Sequence, residues 1–210
     1  MTAMCDVAFL LLTFFMLATK FKPDEPVVVV TPRSISEITL PDRNIMLLTL
    51  DTKGRVFFAI DDTIIDGAPA RKSLIERVNQ EKQLNLTPEE IRAFQLGPSI
   101  GMPFNKMKSF LGANQNDMKV MEESAPGIPI DTAANSPNNE LAVWIDDARH
   151  INPRLRICIK ADGKASYPNV HKVIKTLEGL KIFRFNLITD LEAIPAGTEA
   201  YKAAHAGEKK

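Results

Sequence analysis

No charge of either sign is in excess here: 26 Lys and Arg balance 26 Asp and Glu over 210 residues. With that balance, and with no stripe of interleaved basic and aromatic residues, the electrostatic footprint of a nucleic-acid binder is excluded. Cysteine is almost missing. Cys5 and Cys158 are the only two, so no disulfide scaffold is expected, and a lipidated cysteine would follow a hydrophobic run rather than precede it. His150, His171 and His205 have no metal-ligand spacing with one another or with the cysteines. No glycine-rich phosphate loop occurs, and Ser, Cys and His are too scattered for a nucleophilic triad. The acidic pairs Asp61-Asp62 and Asp146-Asp147 read as a turn end and a solvated helix face. The chain is therefore expected not to be an enzyme and to use neither cofactor nor metal.

Long apolar runs are also missing, with one exception at the start. From Val7 to Ala18 the only polar side chain is Thr13, and Asp6 stands at the head of the run. A helix from Thr2 to Thr19 would extend roughly 27 Å, close to a hydrocarbon core of about 30 Å. The expectation is a single transmembrane helix over residues 1–20. A carboxylate there costs on the order of 2.5–3.5 kcal/mol at the bilayer centre by insertion scales, which marks it as a functional candidate. A cleaved signal peptide fits less well, because no Lys or Arg precedes the run and Ala18-Thr19-Lys20-Phe21 is not a small-x-small site. Lys20 and Lys22 follow the run, so the positive-inside rule alone would leave the C-terminal body in the cytoplasm.

Residues 21–43 read as an extended linker. Pro23, Pro26, Pro32 and Pro41 resist local folding, and Val27 to Val30 form a β-prone run suited to pairing with a partner. Asn44 to Leu50 reads as a strand and Arg55 to Ile60 as its return, a hairpin around the turn Asp51-Thr-Lys-Gly54. Residues 63–138 read as a partly helical insertion. It holds a helix from Ala70 to Gln80, a second opened by the capping box Thr87-Pro-Glu-Glu90, and a third from Phe104 to Leu111. Residues 124–139 read as loop. Beyond it lie a helix from Glu140 to His150, a strand from Leu155 to Ala161, a helix from Asn169 to Gly179 and a strand from Phe183 to Ile188. The fold class is α+β, a small β-β-α-β-α-β domain over 44–192 with two helices on one face of the sheet. Residues 193–210 read as a flexible tail.

Three features combine: Met1-Thr-Ala-Met-Cys-Asp6-Val at the apolar run, Leu40-Pro41 after a proline-rich linker, and Ile159-Lys-Ala-Asp162 with Tyr167-Pro-Asn-Val170 in the last β-α-β. Together they resemble the ExbD/TolR family of biopolymer-transport energisers, closer to ExbD. The family's membrane motif is usually Met-Thr-Pro-x-x-Asp-Val, with Ala3 here in place of the proline. The resemblance covers residues 1–62 and 139–192 and is silent on the insertion. It implies that Asp6 is the proton-binding carboxylate, consistent with an apolar surrounding favouring a carboxylate's neutral form. Thr13, seven residues on, is a candidate channel-facing group near the same helical face; a Thr in a membrane helix also commonly bonds its own backbone or packs. Leu40 and Pro41 are the candidate docking segment for the partner or the folded domain. Asp162, by turn chemistry, is an ordinary turn residue beside Gly163.

The resemblance further implies an inner-membrane protein with a cytoplasmic N-terminus and a periplasmic body. It implies a proton-motive-force role beside a multi-span channel subunit resembling ExbB or TolQ, a TonB-like partner and a homodimer. Family members carry a basic stretch before the motif, so the native polypeptide is expected to begin some residues earlier. Two alternatives stay open: a TolR-like subunit serving envelope integrity and anchored to the cell wall, and a membrane-tethered structural or binding protein with no proton role.

Overall fold

The computed structural model describes residues 2–18, 27, 29–34, 43–131, 136 and 138–191. Helix α1 spans Thr2–Ala18, and the two-residue strand β1 spans Arg33–Ser34. Strands β2 (Ile45–Leu50) and β3 (Val56–Ile60) form the expected hairpin. Gly54 takes φ +77° in its turn, a conformation that a Cβ disfavours. A second, small hairpin follows, β4 (Ile64–Ile65) and β5 (Ala68–Pro69). Its turn residues Asp66 and Gly67 both have positive φ, the Asp-Gly signature of a tight hairpin turn.

Four helices come next: α2 (Ala70–Lys82), α3 (Pro88–Leu96), α4 (Phe104–Leu111) and α5 (Gln115–Glu123). The Thr87–Glu90 capping box forms as its sequence requires, with both reciprocal bonds present. The chain then runs through α6 (Glu140–Ile151), β6 (Arg156–Ala161), α7 (Tyr167–Gly179), β7 (Phe185–Leu187) and β8 (Asp190–Leu191).

The main sheet has the order β3-β2-β6-β7, with β2 antiparallel to β3 and parallel to β6, and β6 parallel to β7. Pairing places Leu48 opposite both Phe58 and Ile159, and Met46 opposite both Ile60 and Ile157. Because side chains alternate faces along a strand, these residues share one face of the sheet. Phe58 stacks on Trp144 of α6, so that face is the one covered by helix. Helix α6 lies against β3, α2 and α7, and its Leu141, Trp144, Ile145 and Ala148 are buried as their spacing predicts.

Residues 63–138 share this core. Trp144 is fully buried, with Phe58, Phe94 and Phe104 around it at ring-centre distances of 5.5, 5.6 and 5.4 Å. The Arg71 guanidinium, also buried, donates to the carbonyls of Ile60, Pro98 and Phe94 at 3.2, 3.2 and 2.9 Å. Burial pushes its pKa down, against the pull of Asp62. Two segments also close the outer edge of β3: Phe58 and Ile100 exchange backbone bonds of 2.8 Å, and the Ile128 N–H donates to the Val56 carbonyl at 2.9 Å. A covered edge cannot template pairing with another chain.

Several expectations are corrected. The expected transmembrane helix forms as a 17-residue helix, and among the described residues no helix is long and apolar enough to cross a membrane. Seventeen residues rise about 25 Å, short of a core of about 30 Å. Gln115–Glu123 is a helix that the sequence reading passed over. The last strand is shorter than expected: pairing with β6 begins only at Phe185, and Phe183 is exposed. Asp147 is not solvated: it is buried, and Arg77 of α2 donates to its Oδ1 at 2.5 Å. Burial pushes the Asp147 carboxyl pKa up, opposed by that bond.

Candidate functional site

Two places carry the expected chemistry, the N-terminal helix and the join between the linker and the body. Along α1, Val7, Phe9, Leu10, Leu11, Leu12, Phe14, Phe15 and Met16 are all exposed. These positions cover every side of the helix, since successive residues step by about 100°. A helix apolar all round is one that another medium or another protein must bury. Asp6 is exposed in the second turn and is the only charged side chain in α1. Thr13 stands seven residues on, and its hydroxyl donates back to the carbonyls of Phe9 and Leu10, each at 3.0 Å. Its one proton is therefore held within its own helix, while its oxygen still has lone pairs to offer.

Residues 29–34 of the linker settle on the body of their own chain. Val29 and Thr31 are buried, and Val30 between them points outward. The Val30 N–H donates to Asp162 Oδ2 at 3.0 Å, and the Gly163 N–H donates to the Val30 carbonyl at 2.9 Å. Beyond this clasp β1 runs parallel to β8, with Arg33 beside Asp190 and Ser34 beside Leu191.

Asp162 has a second task, accepting the Lys164 N–H at Oδ1, 2.8 Å away. The Lys164 N–H and then the Val30 N–H hold its carboxyl below the usual carboxylate value. Both bonds go to the charged form, which is the form they stabilise. Asp162 is thus a turn residue, as its sequence indicates, and also the anchor of a segment 132 residues away. The sequence carries no signal for that second role, because the group that Asp162 accepts from is the backbone N–H of an apolar residue. Tyr167 is exposed at the start of α7 and stacks on His171 at 5.8 Å. Leu40 and Pro41 lie outside the described residues, as does the segment 193–210.

A family model described as biopolymer transport protein ExbD/TolR matches residues 1–192. No curated protein and no solved structure gives a significant match.

Proposed function

The chain belongs to the ExbD/TolR family of biopolymer transport proteins, and from that premise we propose that it is a proton-driven subunit of an ExbB–ExbD–TonB-like complex in the inner membrane. In this reading residues 1–20 are the membrane helix and 21–43 the tether. Residues 44–192 are the periplasmic domain, with 63–138 inserted, and 193–210 are a tail. The N-terminus faces the cytoplasm. The observation that carries the reading is Asp6, a single carboxylate on a helix with no other charge. An ionisable residue among apolar neighbours is costly to keep and by default functional. A helix shorter than the bilayer is accommodated by local thinning, by flanking residues such as Lys20 and Lys22, or by oligomerising. A homodimer of the helix within a multi-span channel subunit supplies that company and gives Asp6 a polar path on either side.

Proton uptake and release at Asp6 biases the position of the helix in the channel, and the tether passes the motion to the body and on to a TonB-like protein. The test is Asp6→Asn, which keeps the shape and removes the titration. Energised transport is expected to be lost while membrane fractionation and co-purification of the channel subunit persist. Full transport with Asp6→Asn would end the proton reading. The family match spans TolR as well as ExbD; a deletion strain with envelope defects and intact energised uptake would select the TolR-like role.

A further inference from the structure

The turn from α6 into β6 and the turn from α7 into β7 lie at the same end of the sheet, because β6 and β7 are parallel neighbours. A cavity of about 870 Å³ opens there, lined by both turns. Four of its lining residues are cations: Arg149 in the last turn of α6, Arg156 opening β6, Lys181 after α7, and Arg184 ahead of β7. Among the described residues no Asp or Glu lines it, and none of the four makes an ion pair with a described carboxylate. Arg149 and Lys181 complement the negative ends of their helices. No helix end accounts for Arg156 or Arg184, and crowding four like charges around one space is unfavourable without a counter-charge. The floor is apolar, with Leu155, Ile157 and Ile182 all buried. The volume lies within the roughly 300–1,000 Å³ range of small-ligand sites, which pair an apolar lining with a few polar groups.

We propose that this cleft binds a ligand carrying two or more carboxylate or phosphate groups, with an apolar portion laid against Ile182 and Phe185. Three guanidinium groups suit paired contacts to planar or tetrahedral oxyanions. The inference is independent of the proton reading and uses no residue of α1 or the tether.

The test uses the full chain in neutral detergent. Citrate and pyrophosphate are titrated by calorimetry at low salt, and cardiolipin, a lipid with two phosphates, is titrated in mixed micelles of the same detergent. At least one probe is expected to bind, more weakly as salt rises. Binding is expected to fall about tenfold or more, the equivalent of one charged contact, in R184Q and in R156Q. The distant exposed variant K72Q is expected to bind as wild type. Binding of the soluble probes assigns a free oligoanion, and binding of cardiolipin micelles alone assigns a lipid headgroup. Should R156Q melt early, R184Q interrogates the same cleft from an exposed position. The proposal is overturned if no probe binds, if R184Q binds as wild type, or if K72Q loses as much.

Discussion

Trp144 and Phe94 lie with their ring planes 5° from parallel and their centres 5.6 Å apart. One belongs to the α-β-α-β half of the chain and the other to the segment inserted before it. Their contact makes the insertion part of the core rather than an ornament on it. Trp144→Ala is expected to cost about 3–5 kcal/mol, the usual penalty for emptying a buried aromatic site. Trp144→Phe is expected to cost less, partly because the buried indole N–H has no acceptor among the described residues and its removal relieves an unpaired donor. Urea unfolding of the two variants decides the order.

Arg71 ties together three carbonyls from β3, α3 and the segment after it. Arg71→Met keeps much of the stem but strands those acceptors in the interior. A loss of about 2–4 kcal/mol is expected, since each orphaned buried group costs about 1–3 kcal/mol and some find relief by relaxation. A shift of the urea midpoint with an unchanged slope is the expected readout, because the slope follows the surface exposed on unfolding.

The Asp162 carboxylate makes docking of the tether depend on acid. Its folded pKa lies below the ordinary 3.8. The stabilisation it provides is therefore fully present above the ordinary value and is lost as pH falls through the lower, folded one. The stability gap between wild type and Asp162→Asn is expected to be constant from neutral pH down to about 4 and to narrow below it. At neutral pH, Asp162→Ala is expected to speed hydrogen exchange at the Val30 amide while leaving the Phe58 amide slow. Equal exchange at Val30 in variant and wild type would remove Asp162 as the anchor.

Thr13 gives a contrast with Asp6. Its hydroxyl proton is already held by Phe9 and Leu10. Thr13→Val, which keeps the shape, is therefore expected to leave energised transport near wild type, and Thr13→Ser to be silent. A collapse of transport in Thr13→Val alone would mean that the Thr13 oxygen accepts a functional bond from outside its helix.

Much of this fold could be read from residue pattern. Short apolar runs around the Asp51–Gly54 turn located β2 and β3, period-two alternation located β6, and the Thr87-Pro88-Glu89-Glu90 box located the start of α3 to the residue. Helix α5 escaped because Gln115 to Glu123 is polar enough to pass for loop, and no residue from Asn116 to Glu123 is buried. Asp147 was misjudged because its partner, Arg77, lies 70 residues earlier, and an acidic pair on a helix looks the same whether it meets water or a guanidinium. The clasp between Val30 and Asp162 was illegible for a related reason. It uses a backbone N–H, which every residue but proline carries, so no residue type advertises it. The cations of the cleft were visible individually, but only the parallel pairing of β6 with β7 brings them to one place.

The clasp also sets a length. While Val29 to Ser34 is held, the stretch between α1 and the body is residues 19–28, which can extend to at most about 35 Å. Once it lets go, the stretch becomes residues 19–44, up to about 90 Å. One carboxylate contact, one backbone bond from Gly163 and a two-residue parallel pairing thus separate a short leash from a long one. How far from α1 this body can work is decided by whether those few bonds hold under tension.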